Sequence, residues 1–222
     1  MRSPFSPLHL LLFMVVLGVL VAFVQVGLLT LAFDKLGLSP GEGFVLLFAS
    51  LFGSMINLPL ATMDASAPSP EQIPPQLRGL LRQPPRPFAG KTVLAVNVGG
   101  GLIPVLFSLY LITHNPIDLS HVVLGVSLVT ALSYAFSRPV PGLGVGMPIL
   151  IAPLGAALAA TLISPAHSAP LAYISGTLGV LIGADLMRLK DIRKLGAPVA
   201  SIGGAGTFDG IFITGIVAVL LA

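Results

Sequence analysis

The chain alternates long apolar runs with short polar breaks. Runs of about 20 residues match the thickness of hydrocarbon that one helix must cross. Hydropathy predicts seven spans, near 8–33, 43–62, 91–113, 119–137, 145–164, 169–188 and 205–222. The first run is too long for the apolar core of a cleaved leader, about 7–15 residues, and lacks a small-residue cleavage site. It is expected to stay as a first span. Between the fourth and fifth runs stands "SRPVPGLGVGMP". Its prolines and glycines disfavour a regular helix and predict a broken or re-entrant entry into the fifth span, buried by protein. The expected fold is therefore all-α, a polytopic bundle of about seven transmembrane helices. It forms a single transmembrane domain over residues 1–222, with no repeat.

Charge gives that bundle a direction. Seven spans put the N-terminus and the segments 63–91, 137–144 and 188–196 on one side. Arg2, Arg78, Arg82, Arg86, Lys91, Arg138, Arg188, Lys190, Arg193 and Lys194 fall there, and only Lys35 falls opposite. Cations concentrate on the cytoplasmic side, so the N-terminus is expected in the cytoplasm and the C-terminus on the far face. Removing a middle span would mix the two sets. The long polar segment "MDASAPSPEQIPPQLRGLLRQPPRPFAGK", residues 63–91, reads as a Pro-rich cytoplasmic loop with one short interfacial helix at "PPQLRGLLRQ".

Composition agrees and narrows the chemistry. Of 222 residues, 55% are hydrophobic and 9% charged, with a mean hydropathy of +1.00. A soluble domain carries nearly three times that charged fraction. The expected setting is the lipid bilayer of the cell membrane, crossed several times. The chain has no cysteine, which excludes disulfides, thiolate nucleophiles and Cys-ligated metals. His9, His114, His121 and His167 are scattered, without zinc-protease spacing. No metal and no cofactor is expected. Topology accounts for the net charge of +3, so no nucleic-acid partner is expected either.

Ionisable groups inside spans are costly and point to function. Two carboxylates qualify: Asp185 in "GVLIGADLMRLKD" and Asp209 in "GTFDGIF". The sixth span runs inward and the seventh outward, which sets both acids at similar depth in the cytoplasmic third. Structural roles compete with function at both. Asp185 can pair with Arg188 three residues on, and Asp209 can sit on the dipole of the last helix. Asn57, in "GSMINLPLATMD", and Asn97, in "NVGGGLIP", add amides. Either amide can bind a ligand or join helix to helix. Tyr173, Ser175 and Thr177 lie higher in the sixth span. Together these groups suggest a polar cavity.

"AGTFDGIFITGIVAVLLA" resembles the helix-opening segment of presenilin and signal-peptide-peptidase-type intramembrane proteases, GxGD followed by an apolar helix. Here the motif reads Gly206, Thr207, Phe208, Asp209, then Gly210, with Phe208 replacing the second glycine. Asp185 takes the place of that family's aspartate in the preceding span. "GMPILIAPLG", with Pro148 and Pro153, is the nearest counterpart of its Pro-Ala-Leu motif, but it comes earlier in the chain and requires a permuted helix order. The resemblance implies an intramembrane aspartyl endopeptidase with Asp185 and Asp209 catalytic. Asn57, Asn97, Gly206, Phe208, Gly210, Pro148 and Pro153 would support or bind the substrate, a transmembrane protein. Two close carboxylates share one proton; the ionised one activates water while the protonated one polarises the scissile carbonyl. More of the chain, through "NVGGGLIP", "RPVPGLGVGMP", "GADL" and "GAPVASIGGAGTFDGIFITG", resembles a family of prokaryotic multi-span membrane proteins of unassigned function. Two other readings use the same residues. One is a proton- or cation-coupled transporter or channel, with Asp185, Asp209, Asn57 and Asn97 binding the ion. The other is a non-catalytic membrane scaffold. A monomer of seven spans is large enough to enclose a site.

Overall fold

The computed structural model describes residues 18, 25–65, 90–140, 144–192, 199–204 and 210–222. It is mostly helical. Helix α1 (Gln25–Lys35) turns through 106° into α2 (Pro40–Gly53). Gly37 makes that turn at a φ of 74°, a region other residues rarely adopt. The sequence "SPGE" then starts α2 with a capping box. Ser39 Oγ accepts from the Glu42 N–H, and a Glu42 carboxylate oxygen accepts from the Ser39 N–H.

Strand β1 (Asn57–Asp64) follows α2, and β2 (Lys91–Asn97) pairs with it antiparallel. A π-helical turn, Val98–Leu102, leads into α3 (Ile103–His114). Helix α4 (Leu119–Phe136) precedes a small hairpin of β3 (Arg138–Val140) and β4 (Gly144–Gly146). Next come α5 (Ile151–Ile163), α6 (Ser168–Val180), a second π-helical turn at Leu181–Leu186, and α7 (Leu189–Ile192). Strand β5 (Val199–Ile202) pairs parallel with β2, giving a sheet in the order β1-β2-β5. Helix α8 (Gly210–Leu221) is the last element.

Helix α6 is the axis of the bundle. Helices α3, α4, α5 and α8 pack on it, and nearly all of its residues are buried. Small residues bring the backbones close. Gly176 meets the Ala156 and Ala218 methyl groups, and Gly179 and Gly183 lie against Val129, Thr130 and Ser133 of α4. Large apolar side chains point outward instead: Val45, Phe52, Leu119, Leu158 and Leu162 are more than half exposed. Small residues between helices and bulky ones outside are the arrangement of a bundle surrounded by lipid.

Among the described residues two helical stretches are long and apolar enough to cross a membrane, Leu119–Phe136 and Pro165–Asp191, or three if the bent α1–α2 pair counts as one. Helix α5, with 13 residues, reaches only about 20 Å at 1.5 Å per residue.

Several expectations are corrected by this architecture. The fold is not all-α, because a three-stranded sheet and a hairpin stand among the helices. The second run stops being helical at Gly53, where Gly53 and Ser54 end α2 and Pro59 cannot donate a helical hydrogen bond. Pro59 is tolerated on β1, an edge strand whose register shifts between Pro59 and Ala61. The third run opens as a strand, since "KTVLAVN" is rich in β-branched residues and finds partners on both sides. The stretch expected to be re-entrant forms the β3–β4 hairpin, so the fifth helix begins only at Ile151. Most of the first run, the interfacial helix expected in the 63–91 loop, and residues 205–209 lie outside the described residues.

The bundle has two distinct ends. At one, Lys35 Nζ donates to the carbonyls of Val219 and Leu220, and Ser168 Oγ donates to Ala222 O. At the other lie the β1-β2-β5 sheet, the π-helical turns and Arg188. Of the described cations, Lys91, Arg138, Arg188 and Lys190 belong to this second end and Lys35 to the first.

Candidate functional site

At the sheet end four segments converge through backbone rather than through bulky side chains. Gly99, in the first π-helical turn, sits so close to α2 that a Cβ there would overlap Ser50 O and Ser54 N. Ser50 Oγ donates to Gly99 O at 2.6 Å. Asn97 is fully buried and caps this turn by accepting from the Gly100 N–H at 2.8 Å. Its amide donates to Ser54 O at 2.7 Å and to Asn57 Oδ1 at 3.1 Å. Asn57 Oδ1 also accepts from Ser201 Oγ of β5 at 2.5 Å. Both amide hydrogens and the carbonyl of Asn97 are thus engaged in building the junction.

Asp185 meets the same junction from the end of α6. It lies in the second π-helical turn, where Met187 N–H reaches back five residues to Ile182 O. Such a turn inserts one residue into the helix and rotates the residues beyond it, and it often occurs at functional sites. Asp185 Oδ2 accepts from the Gly203 N–H at 2.7 Å. Gly203 directly follows β5, two residues beyond Ser201. The strand therefore carries a contact to the asparagine pair and a contact to the acid.

The ion pair between Asp185 and Arg188 that the spacing allows is not the one Arg188 makes. Its Nη1 lies 3.3 Å from Asp191 Oδ2. Its Nη2 donates to Tyr134 O at 2.8 Å and Ser137 O at 2.9 Å, and Nε donates to Ser137 Oγ at 3.3 Å. The guanidinium also lies 4.2 Å from the centre of the Tyr134 ring. Arg188 caps α4 and ties it to α7, leaving Asp185 to its backbone donor. Arg188→Met should therefore lower stability by about 1.5–3 kcal/mol, the range for hydrogen bonds to a charged group. Thermal denaturation followed by circular dichroism checks this, with Asp191→Asn expected to cost less because Arg188 keeps its α4 carbonyls.

The other expected site residues are dispersed. Pro148 lies in the exposed link before α5 and Pro153 is buried in its first turn. Gly210 is the first residue of α8. Asp209, Gly206 and Phe208 lie outside the described residues. Farther along α6, the hydroxyls of Tyr173 and Thr177 are buried beside each other, with Thr177 Oγ1 and the edge of the Tyr173 ring against Gly215 of α8; those of Thr130 and Ser133 are buried on α4 without a hydrogen-bond partner among the described residues. Among the described residues no three His, Asp or Glu side chains gather as a metal would require.

Two residues that organise the junction, Ser201 and Gly203, do not stand out in the sequence. "SIGGAG" signals a turn, but nothing in it signals contact with Asp185.

No curated protein and no solved structure matches the chain. One family does, over residues 51–221, which take in α3 to α8, all three strands of the sheet and the Asp185 junction. The chain belongs to that family, described as "Protein of unknown function (DUF1614)".

Proposed function

We propose that this chain is a multi-pass protein of the cell membrane that hydrolyses peptide bonds in membrane-spanning substrates, with Asp185 and Asp209 as its acid pair. The observation that carries the reading is the state of Asp185. It stands on a π-helical turn that continues the central helix and accepts from a backbone N–H, while the nearest arginine in sequence is committed elsewhere. An acid retained in an apolar span, with no cationic partner among the described residues, is costly unless it serves a function. Asp209 directly precedes α8 and follows Gly203 by six positions, so the segment that holds the first acid leads to the second. In this reading the bundle crosses the membrane seven times, with the sheet end in the cytoplasm, where most cations fall. Water enters from that face. The ionised carboxylate takes a proton from water as it attacks the scissile carbonyl, and the protonated carboxyl donates to the carbonyl oxygen. As the C–N bond breaks, the first acid gives its proton to the leaving amine and a hydroxyl of the tetrahedral diol returns a proton to the second carboxylate as the carbonyl reforms, so that the pair again shares one proton.

A second reading, a proton- or cation-coupled transporter, is favoured by a different observation. Among the described residues four hydroxyls, those of Thr130, Ser133, Tyr173 and Thr177, lie buried at the interfaces of α6 with α4 and α8, and polar groups inside a bundle are the parts from which ion paths are built.

The test is cleavage of a transmembrane reporter by the purified protein in liposomes. Asp185→Ala and Asp209→Ala should each lower cleavage about 10²–10⁴-fold, the contribution expected of an acid or base in the chemical step. Cleavage at the wild-type rate by either variant overturns the mechanism. Proton or cation flux that depends on Asp185, without cleavage, establishes the transporter instead.

A further inference from the structure

We infer that Gly203 is the positioning residue for Asp185: its main-chain N–H holds Oδ2 and fixes the carboxyl rotamer, so that Oδ1 is the oxygen presented to the reaction. The inference rests on the proposed catalytic role of Asp185 and assigns the backbone that makes it effective.

The geometry is built from three sides. First, the 2.7 Å N–H···Oδ2 distance falls in the short range of hydrogen bonds to charged groups. Second, the donor is immobilised. Gly203 has a φ of 83°, and a Cβ on it would come within 2.5 Å of Gly101 N and 2.7 Å of Gly100 C. Any other L-residue is opposed both by its backbone conformation and by overlap with the Gly99–Gly101 turn. Third, the strand leading to Gly203 is locked in height. Ile202 pairs with Val96 in the parallel ladder, and Ser201 Oγ binds Asn57 Oδ1. A donor held in this way needs no reorganisation when the acid reacts. The π-helical turn supplies the complementary half, because it turns Asp185 off the line of its own helix and toward β5.

The experiment uses the full-length protein in lipid and has two arms. In the kinetic arm, Gly203→Ala should lower kcat about tenfold or more while KM stays within about twofold, since orientation acts on the chemical step. Gly37 has a comparable φ of 74° with no atom within 4 Å of an added Cβ; Gly37→Ala carries the backbone strain alone and should leave kcat unchanged. In the spectroscopic arm, the Gly203 amide proton should resonate downfield in the wild type and lose that shift in Asp185→Ala. A folded Gly203→Ala protein with wild-type kcat overturns the inference, as does a Gly203 amide indifferent to Asp185→Ala. If Gly203→Ala does not fold, an amide-to-ester replacement at position 203 removes the N–H without adding bulk, and unchanged kcat there is equally fatal. A wild type that cleaves nothing overturns the protease reading and the positioning role that rests on it, whereas a wild type that cleaves while folded Gly203→Ala keeps its kcat overturns the positioning role alone.

Discussion

Gly99→Ala should destabilise the fold by about 3 kcal/mol or more, at the upper end for overpacked sites. The atoms that an added Cβ would overlap are the carbonyl oxygen of Ser50, the nitrogen of Ser54 and the carbonyl carbon of Gly53. All three are backbone, so no rotamer change relieves the clash and α2 must move as a body. Movement there breaks Ser50 Oγ···Gly99 O, the Asn97 bond to Ser54 O, and the bond from Val98 N–H to Ile56 O. For a chain of this size the midpoint of thermal denaturation should fall by about 10 °C. The chain contains no tryptophan, so helical circular dichroism is the suitable signal. Gly41→Ala, whose Cβ meets nothing within 4 Å at the start of the same helix, should leave the midpoint in place. Equal effects of the two changes would mean that α2 is not seated on the glycine turn.

Gly183→Ala should be nearly as damaging, by about 2–3 kcal/mol, and should also impair the site. A Cβ at 183 would overlap Thr130 O and lie 3.0 Å from both Ser133 Cβ and Tyr134 N. Gly179 stands one turn away against Val129, so the two glycines form a seam along which α4 touches α6 and its π-helical extension. Separating that seam moves α4 relative to Arg188, which holds its C-terminal carbonyls, and relative to Asp185, two residues beyond Gly183. Gly176→Ala is the matched comparison. Its added Cβ would lie 3.6 Å from the Ala218 methyl group, an ordinary contact, and 3.3 Å from that of Ala156, a tight one relieved by a shift of a few tenths of an ångström, so its cost should be smaller than that of Gly183→Ala. A Gly183→Ala protein with wild-type thermal midpoint and wild-type reporter cleavage would sink this account of the seam.

The helical class, the apolar exterior and the placing of Asp185 near the cation-rich end are legible in the sequence, because each comes from residue type and run length. The sheet is not. Apolar stretches such as "KTVLAVN" and "SMINLPL" have the same hydropathy in a strand as in a helix, and the choice is made by partners distant in the chain. Val93 meets Val199, and Asn57 meets Asn97. The partner of Arg188 is undecidable from sequence for a sharper reason. Asp185 precedes it by three residues and Asp191 follows it by three, so spacing alone treats the two acids alike. The π-helical turn breaks the symmetry, and apolar sequence of the form "LIGADL" carries no mark of such a turn. The amide of Asn97 does join segments, but its partners are a helix end, a strand and a turn rather than a second helix. Asp209 is known only through the motif around it.

The parallel pairing of β2 with β5 also sets an order of assembly. Helices α2 to α6 are synthesised before Val199–Ile202 exists, so the sheet and the Gly203 donor cannot be completed until that strand and Gly203 have left the ribosome. Until then Asp185 has already been built into the bundle without its backbone clasp. A nascent or truncated chain ending before residue 199 would hold Asp185 unoriented and would lack Asp209, and in the proposed reading both absences keep it inert toward neighbouring membrane proteins during its own insertion.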